Sequence, residues 1–560
     1  DYRDSVPDVP TNNFATLNPL IPTSATTAEG NLKANLVPTN TSISSTFAVN
    51  SGKWYAEFMP TTIAGYALIG ISSPSDTTWL GGNSIVLQSS TGNLLDYGDW
   101  VASSSTLSTT YTVNDVIGVA LDLNGSTIEY FKNGSSIGSA TIALGTTNTD
   151  VSFMLGMSSA SATGYTYANF GQDSSFSGLK ATTNSNADGN GHGSFAYAPP
   201  SGYLALCSQN LPDVDIIDGT EYFNTVLYTG NTSTGAGGSQ SITAVGFQPD
   251  FVWLKDRSVA RSNYLQDVIR GTNSQLISNS TADEYTLTNY ITSFDSDGFS
   301  LGDATSANGN GENFVAWNWK AGTAFSNSAG ANGANVDSSG QVNTTAGFSI
   351  VSWQFTNSAD NLIFHGLSSA PEMMILKSRT TAYNWDVYHT ALSAASKRFI
   401  LNGTTTSTGA GGELAGFFDT APTDTLFEYN TSALTNNDNV IAYCFHSVEG
   451  YSKIGTYSGN NSADGTFVYT GFRPAWVLIK LYSAAGQWWG VYDSARDPYN
   501  LVTQRLWWNA NNAESAYSTD ELDLLSNGFK LRGNYSSINA NYNYLYLAFA
   551  ENPFKFANAR

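Results

Sequence analysis

Charge is scarce in this 560-residue chain, and positive charge is scarcest: 23 Lys and Arg stand against 45 Asp and Glu, a formal net charge of −22. Gripping a phosphate backbone takes clustered cations, so the composition argues against a nucleic-acid partner. Cysteine is nearly absent. Cys207 and Cys444 lie far apart, each inside an apolar strand pattern, which predicts two buried free thiols rather than a disulfide. The four histidines, His192, His365, His389 and His446, show no zinc-ligand spacing. No phosphate loop or Cys-x-x-Cys motif is present either. The expectation is a non-enzyme with no catalytic residue, no cofactor and no metal; the acid pair Asp295 and Asp297 is what chance supplies among 45 carboxylates. No apolar run reaches the roughly 18 residues of a membrane span, so no membrane insertion is expected, and no signal-peptide pattern is visible. Helical 3.6-residue periodicity is missing too, which points to an all-β chain.

What the chain does have is Gly, Ser, Thr and Asn clusters between short apolar runs, with an apolar fraction of 41% and an aromatic one of 13%. That is enough for packed cores, and the length suggests about three to five domains. The organising stretch is GFQPDFVWLKDR, Gly246 to Arg257, which returns as GLSSAPEMMILKSR, Gly366 to Arg379, and as GFRPAWVLIK, Gly471 to Lys480. A Lys follows Pro at the same spacing in each: Pro249 and Lys255, Pro371 and Lys377, Pro474 and Lys480. Further marks recur in order. Asp267, His389 or Asp493 comes next, then an apolar run closing on Asn279, Asn402 or Asn509, then a last strand NFVAWNW, NVIAYCF or YLYLAFA. These are internal repeats, with units at 213–322, 323–449 and 450–560.

Pro at the entrance of a run that is apolar on both faces reads as a central strand covered on both sides, and the turn-rich spacing gives each repeat a β-sandwich-like form. The recurring Lys is then expected at the strand exit, solvated or paired on the surface. His389, standing where the other repeats have Asp, reads as a structural polar position rather than a base. Ten of the 13 Trp follow residue 212, with adjacent pairs Trp488-Trp489 and Trp507-Trp508. Strand neighbours face opposite sides, so one Trp of each pair is expected in the core and the other exposed. Trp488, Trp489, Trp507 and Trp508 are therefore the candidate binding residues, for sugar stacking or protein docking, unless another layer or protomer covers them.

Ahead of the repeats, residues 1–50 read as a lead-in and 51–180 as a sandwich. SGKWYAEF places Trp54, Ala56 and Phe58 on one face of a strand and Tyr55 and Glu57 on the other. Asn124-Gly125 and Asn133-Gly134 then mark the turns between three strands from Asn114 to Ile142. The strings GKWYAEF, IGI, IEYFKNG, FMLGMS and ANFGQ, in that order, resemble a SPRY-type domain over Ser51 to Phe176. The resemblance implies two antiparallel sheets with a loop surface for recognition, usually of protein; Ser73 to Gln88 and Ser103 to Thr110 are the loops concerned.

With TNNFATLNPL before it, YAPPSGYLALCSQNLP after it and AFAENPFKFANAR at the end, the chain resembles virion proteins of marine bacteriophages, and the repeats resemble a phage-associated domain of unknown function. Such proteins are usually described as tail fibres or other virion structural components. The resemblance implies a location on the virion, other virion proteins as partners, a host-surface glycan or protein as target, and by analogy a homotrimer.

Residues 181–212 read as a linker. Asn186, Asp188, Asn190 and His192 alternate there as calcium ligands do, but His is a poor calcium ligand and no bidentate Glu closes the loop, so a turn is expected. The sequence thus predicts an all-β chain, a SPRY-like antiparallel β-sandwich followed by three tandem β-sandwich-like repeats, that attaches to a host surface without covalent chemistry. The alternatives are a capsid decoration or head fibre, a bacterial surface adhesin or extracellular filament, and a glycan-cleaving tailspike.

Overall fold

A computed structural model describes residues 12–37, 41–74, 84–97, 107–144, 150–158, 162–181, 185–232, 237–357, 360–394, 396–404, 414–415, 418–484, 486–516 and 522–556. The chain forms two compact units, Asp1–Asp213 with Thr466–Tyr469, and Val214–Gly465 with Thr470–Arg560.

In the first unit, Lys53–Thr62 is the spine of one sheet, pairing antiparallel with Ile117–Asp122 on one side and Gly164–Asn169 on the other. Thr127–Lys132 and Ser135–Thr141 extend one flank; Lys33–Leu36 and Thr26–Ala28 extend the other. A second antiparallel sheet runs Thr41–Ser44, Ser152–Ser158, Tyr66–Ser72, Ser84–Gln88, Leu94–Tyr97. Phe58 of the first sheet meets Phe153 of the second with ring centroids 6.1 Å apart, and Phe170 packs on both. The two sheets therefore close on one core as a sandwich. Asn133 and Gly134 both have positive φ, 49° and 82°, the backbone of a tight two-residue turn that these residues adopt cheaply. The turn before it is longer than its Asn-Gly pair suggests. Gly125 N donates to Asp122 Oδ1 at 2.7 Å, and the positive φ falls on Ser126.

Two segments differ from expectation. Residues 1–50 are not a bare lead-in: they supply three strands and the buried Phe14, Ala15 and Leu17. Residues 181–212 are not a free linker. Leu204–Ala205 pairs parallel with the spine strand, and Phe195 meets Tyr55 edge-on at 5.2 Å. The physical reason is the spine's second apolar face: Tyr55, Ala120, Phe195, Ala205 and Cys207 form a small core that this segment closes. Glu57 shares that covered face and accepts hydrogen bonds from Ala196 N and Tyr197 N, 2.8 Å each, and from Asn169 Nδ2. Burial still pushes its pKa up, to about 7. Asp188 is likewise consumed, accepting from Asn190 N, His192 N, Ala205 N and Asn210 Nδ2 at 2.9, 2.9, 2.8 and 2.7 Å. Its oxygens fasten a turn and are not turned toward a cation. Of the two recognition loops, positions 75–83 and 103–106 lie outside the described residues.

The second unit repeats one strand order three times. In the first repeat it is Phe223–Thr229, Asn313–Trp319, Phe251–Asp256, Asn263–Asp267, Ser274–Ile277. In the second it is Phe348–Gln354, Asn439–Phe445, Met373–Ser378, Asp386–His389, Lys397–Ile400. In the third it is Ser452–Ser458, Asn543–Pro553, Phe472–Leu481, Gly490–Asp493, Gln504–Trp507. The Pro-to-Lys strand is central in all three, as its two apolar faces require. The inward face of each sheet enters one shared core: Phe251 and Trp253, Met373 and Ile375, Trp476 and Leu478 all belong to it. Short antiparallel pairs cover the other faces, Gln240–Ile242 on Gly298–Leu301, Leu362–Phe364 on Leu426–Glu428, and Leu522–Leu525 on Gly528–Leu531. The repeats thus pack around a common centre instead of forming a string of separate domains. Cys207 and Cys444 are both free and buried.

Candidate functional site

The inward rows of the three sheets end in Lys255, Lys377 and Lys480, and here the structure overturns the expectation of solvated lysines: all three are buried. Each lies on the core-facing side of its strand, so its amine cannot reach water and donates to carbonyls instead. Lys255 Nζ donates to Asp256 O at 2.8 Å, Lys377 Nζ to Ser378 O at 2.9 Å, and Lys480 Nζ to Gln487 O. Desolvation pulls each pKa down from 10.5 to about 8. The folded state resists the charged amine that the unfolded chain carries freely, so a penalty is present below about pH 8 and is relieved as pH rises toward 10.5. Relative to a Lys→Met variant, the wild type is expected to gain about 2 kcal/mol per lysine between about pH 8 and 10, read from urea denaturation at each pH. An unchanged difference across that window would place the amines in water.

Between repeats the core is locked by polar clusters. Trp317 Nε1 of the first repeat donates to Asp493 Oδ2 of the third at 3.1 Å. Arg496 Nε donates to the same oxygen at 2.6 Å, with both side chains fully buried. Arg496 and Arg257 then share Glu514. The second junction copies the first: Tyr443 OH donates to Asp267 Oδ2 at 2.7 Å, Arg270 pairs with Asp267, and Arg270 and Arg379 share Glu284. At the third, register places Leu547 where Trp317 and Tyr443 stand and His389 where the aspartates stand. Leu392 replaces the arginine and Tyr482 the outer one, meeting Phe399 edge-on at 6.0 Å. His389 is buried with Ala391 N donating to its Nδ1, and burial pushes its pKa down to about 3. It is a neutral packing residue opposite a leucine.

The other polar candidates are also occupied. His365 accepts from Leu367 N at Nδ1 and contacts Thr423 O through Nε2, and burial pushes its pKa down to about 4. Asp295 accepts from Ser293 and Ser300, and Asp297 from Ala244 N and Gly246 N. Asp360, Asp419 and Glu428 bring carboxylates within 4.8 Å of one another, but Glu428 is already bonded to Asn430 and Thr420.

The four candidate tryptophans divide by face. Trp489 and Trp508 point inward and belong to the shared core; Trp508 stacks on Trp253 with centroids 3.8 Å apart. Trp507 is on the opposite face but is also buried, so three of the four are unavailable as a shelf. Trp488 is half-buried and meets Trp507 edge-on at 5.1 Å. The Arg505 guanidinium lies 3.8 Å over the Trp507 ring and donates to Ser537 Oγ at 3.1 Å. Around Trp488, residues 482–484 and 486–488 are knitted to the loop 533–543: Gln487 Nε2 donates to Ser536 Oγ at 2.8 Å and Asn543 N to Ser483 Oγ at 2.7 Å. That loop presents Tyr535, 51% exposed, and Tyr542, 43% exposed. Neither tyrosine is among the four sequence-predicted binding residues, although Tyr542 belongs to the Tyr-rich stretch NANYNYLYLAF and both sit in a charge-free run of Asn, Ser and Tyr between two strands.

Among solved structures, the chain is similar to the SPRY domain of human HERC1, at 16% identity and a TM-score of 0.24, covering 27% of this chain and 96% of that one. It is also similar to the PSpry domain of TRIM65, at 12% identity and a TM-score of 0.22, covering 28% of this chain and 92% of that one. A third similarity is to stonustoxin, at 18% identity and a TM-score of 0.21, covering 28% of this chain and 27% of that one. No curated protein matches the chain. A model for the family described as "Domain of unknown function (DUF7483)" matches residues 218–553 as one stretch, so the family's unit is the whole three-repeat body and not a single repeat. The match spans more than half of the sequence, and the chain belongs to the DUF7483 family.

Proposed function

We propose that the protein is a structural component of a bacteriophage virion, a tail fibre or spike that attaches the particle to its host by non-covalent binding. The observation that carries this reading is the partly exposed aromatic patch of the third repeat, set on a body whose sheets share one rigid core. A binding surface works best when its side chains are held by packing, because little ordering entropy is then lost on contact. The resemblance of the flanking strings to virion proteins of marine phages supplies the particle. On this reading the partners are other virion proteins and a host-surface glycan or protein, the assembly is a homo-oligomer with a trimer favoured by analogy, and no bond is made or broken in the target.

Imaging purified particles labelled with an antibody against the chain tests the proposal. Label at the tail is the expected result. Label spread over the head would make the protein a capsid decoration, and its absence from every particle would overturn the virion reading in favour of a bacterial surface adhesin.

A further inference from the structure

The outer faces of the three repeats are built on one plan but differ at two positions. Where the third repeat has Trp488, the others have Ser262 and Asn384; where it has Trp507, they have Ile277 and Ile400. Strand pairing and the shared core are complete without an indole at either place, so the pair is not demanded by the fold. Its surroundings are chemically uniform. Neither 482–488 nor 533–543 contains a charged residue, in a chain of net charge −22. Their exposed or half-exposed side chains include Trp488, Tyr535, Tyr542 and the amides of Gln487, Asn534 and Asn541. The cation beside them, Arg505, is buried against Trp507 and Ser537.

Aromatic faces flanked by uncharged amides and hydroxyls match a ligand with apolar C–H faces and a rim of neutral hydroxyls. We propose that this patch binds a neutral glycan, a pyranose face stacking on Trp488 with Tyr535 and Tyr542 alongside, and ring hydroxyls bonded to Gln487, Asn534 and Asn541. An anionic glycan meets the repulsion of the chain's net charge, and the nearest cations are engaged, Arg505 buried against Trp507 and Arg532 paired with Asp523. The inference rests on the attachment reading, since it names what the attached surface would carry.

The test is binding of the purified full-length chain to immobilised neutral gluco-, galacto- and manno-oligosaccharides, with sulfated and sialylated oligosaccharides beside them. Retention on at least one neutral series is expected, weakened about tenfold or more by Tyr535→Ala with Tyr542→Ala and by Trp488→Ala. The tyrosines are exposed, so their variants are expected to keep the wild-type unfolding midpoint, and the result stands even if the Trp488 variant is destabilised. No neutral binding, binding only to anionic glycans, or neutral binding indifferent to the tyrosine variants would each overturn the proposal. Neutral-glycan binding by a chain found on no particle would remove the virion reading and keep the site. Tail label without such binding would do the reverse.

Discussion

Asp493→Ala is expected to destabilise the three-repeat body by about 3–5 kcal/mol, because it leaves Glu514, already shared with Arg257, to balance the fully buried Arg496 and deprives Trp317 Nε1 of its acceptor. The mirror experiment is His389→Asp. It introduces at the third junction the residue that the other two require, and it should cost a similar amount, since Leu547 and Leu392 offer a buried carboxylate neither donor nor cation. Adding Leu392→Arg and Leu547→Trp to that variant is expected to restore more than half of the loss. Urea denaturation followed by tryptophan fluorescence reads all of these. A His389→Asp protein as stable as the wild type would disprove the account of the junctions given above.

Trp508→Ala should be comparably severe, for a different reason. Its ring lies flat against Trp253 across the contact of the first and third repeats, at an interplanar angle of 12°, and both residues are buried. Truncation removes the stack and leaves a void that rigid sheets cannot fill, at a cost of about 3–5 kcal/mol. Its chain neighbour supplies the control: Trp488→Ala empties a half-exposed site and is expected to lower the midpoint much less. Equal losses for the two would mean that the division of the pair into inner and outer faces is wrong.

Much of this architecture can be read from residues alone. The spacing of Pro249 to Lys255 and its two copies located the central strands, and the all-β class followed from turn residues and the missing helical period. The alternation in Trp488-Trp489 and Trp507-Trp508 separates inner from outer faces, but the outer-facing Trp507 is buried rather than exposed. What escaped was everything that depends on which surfaces meet. A lysine at a strand end is ordinarily solvated; Lys255, Lys377 and Lys480 are buried because three sheets converge, which no single repeat reveals. Likewise Gly- and Pro-rich residues 181–212 look like a tether until the second apolar face of Lys53–Thr62 is seen to need a cover. His389 reads from its repeat position as a structural polar residue, but what it packs beside, Leu547, lies far along the chain and is adjacent only in space.

The shared centre also bears on how the protein is made. Asn543–Pro553 is an interior member of the third sheet, flanked by Ser452–Ser458 and Phe472–Leu481, and it leaves the ribosome after almost everything it must join. Until it arrives, Phe223, Trp319 and Phe445 lack the Phe549 ring that packs against all three. A nascent chain therefore carries a wide oily surface until this strand has been made, a state prone to clumping and to capture by chaperones. Such a design makes synthesis of Asn543–Pro553 the checkpoint: a chain cut short before this strand has no intact three-repeat body to contribute to any assembly.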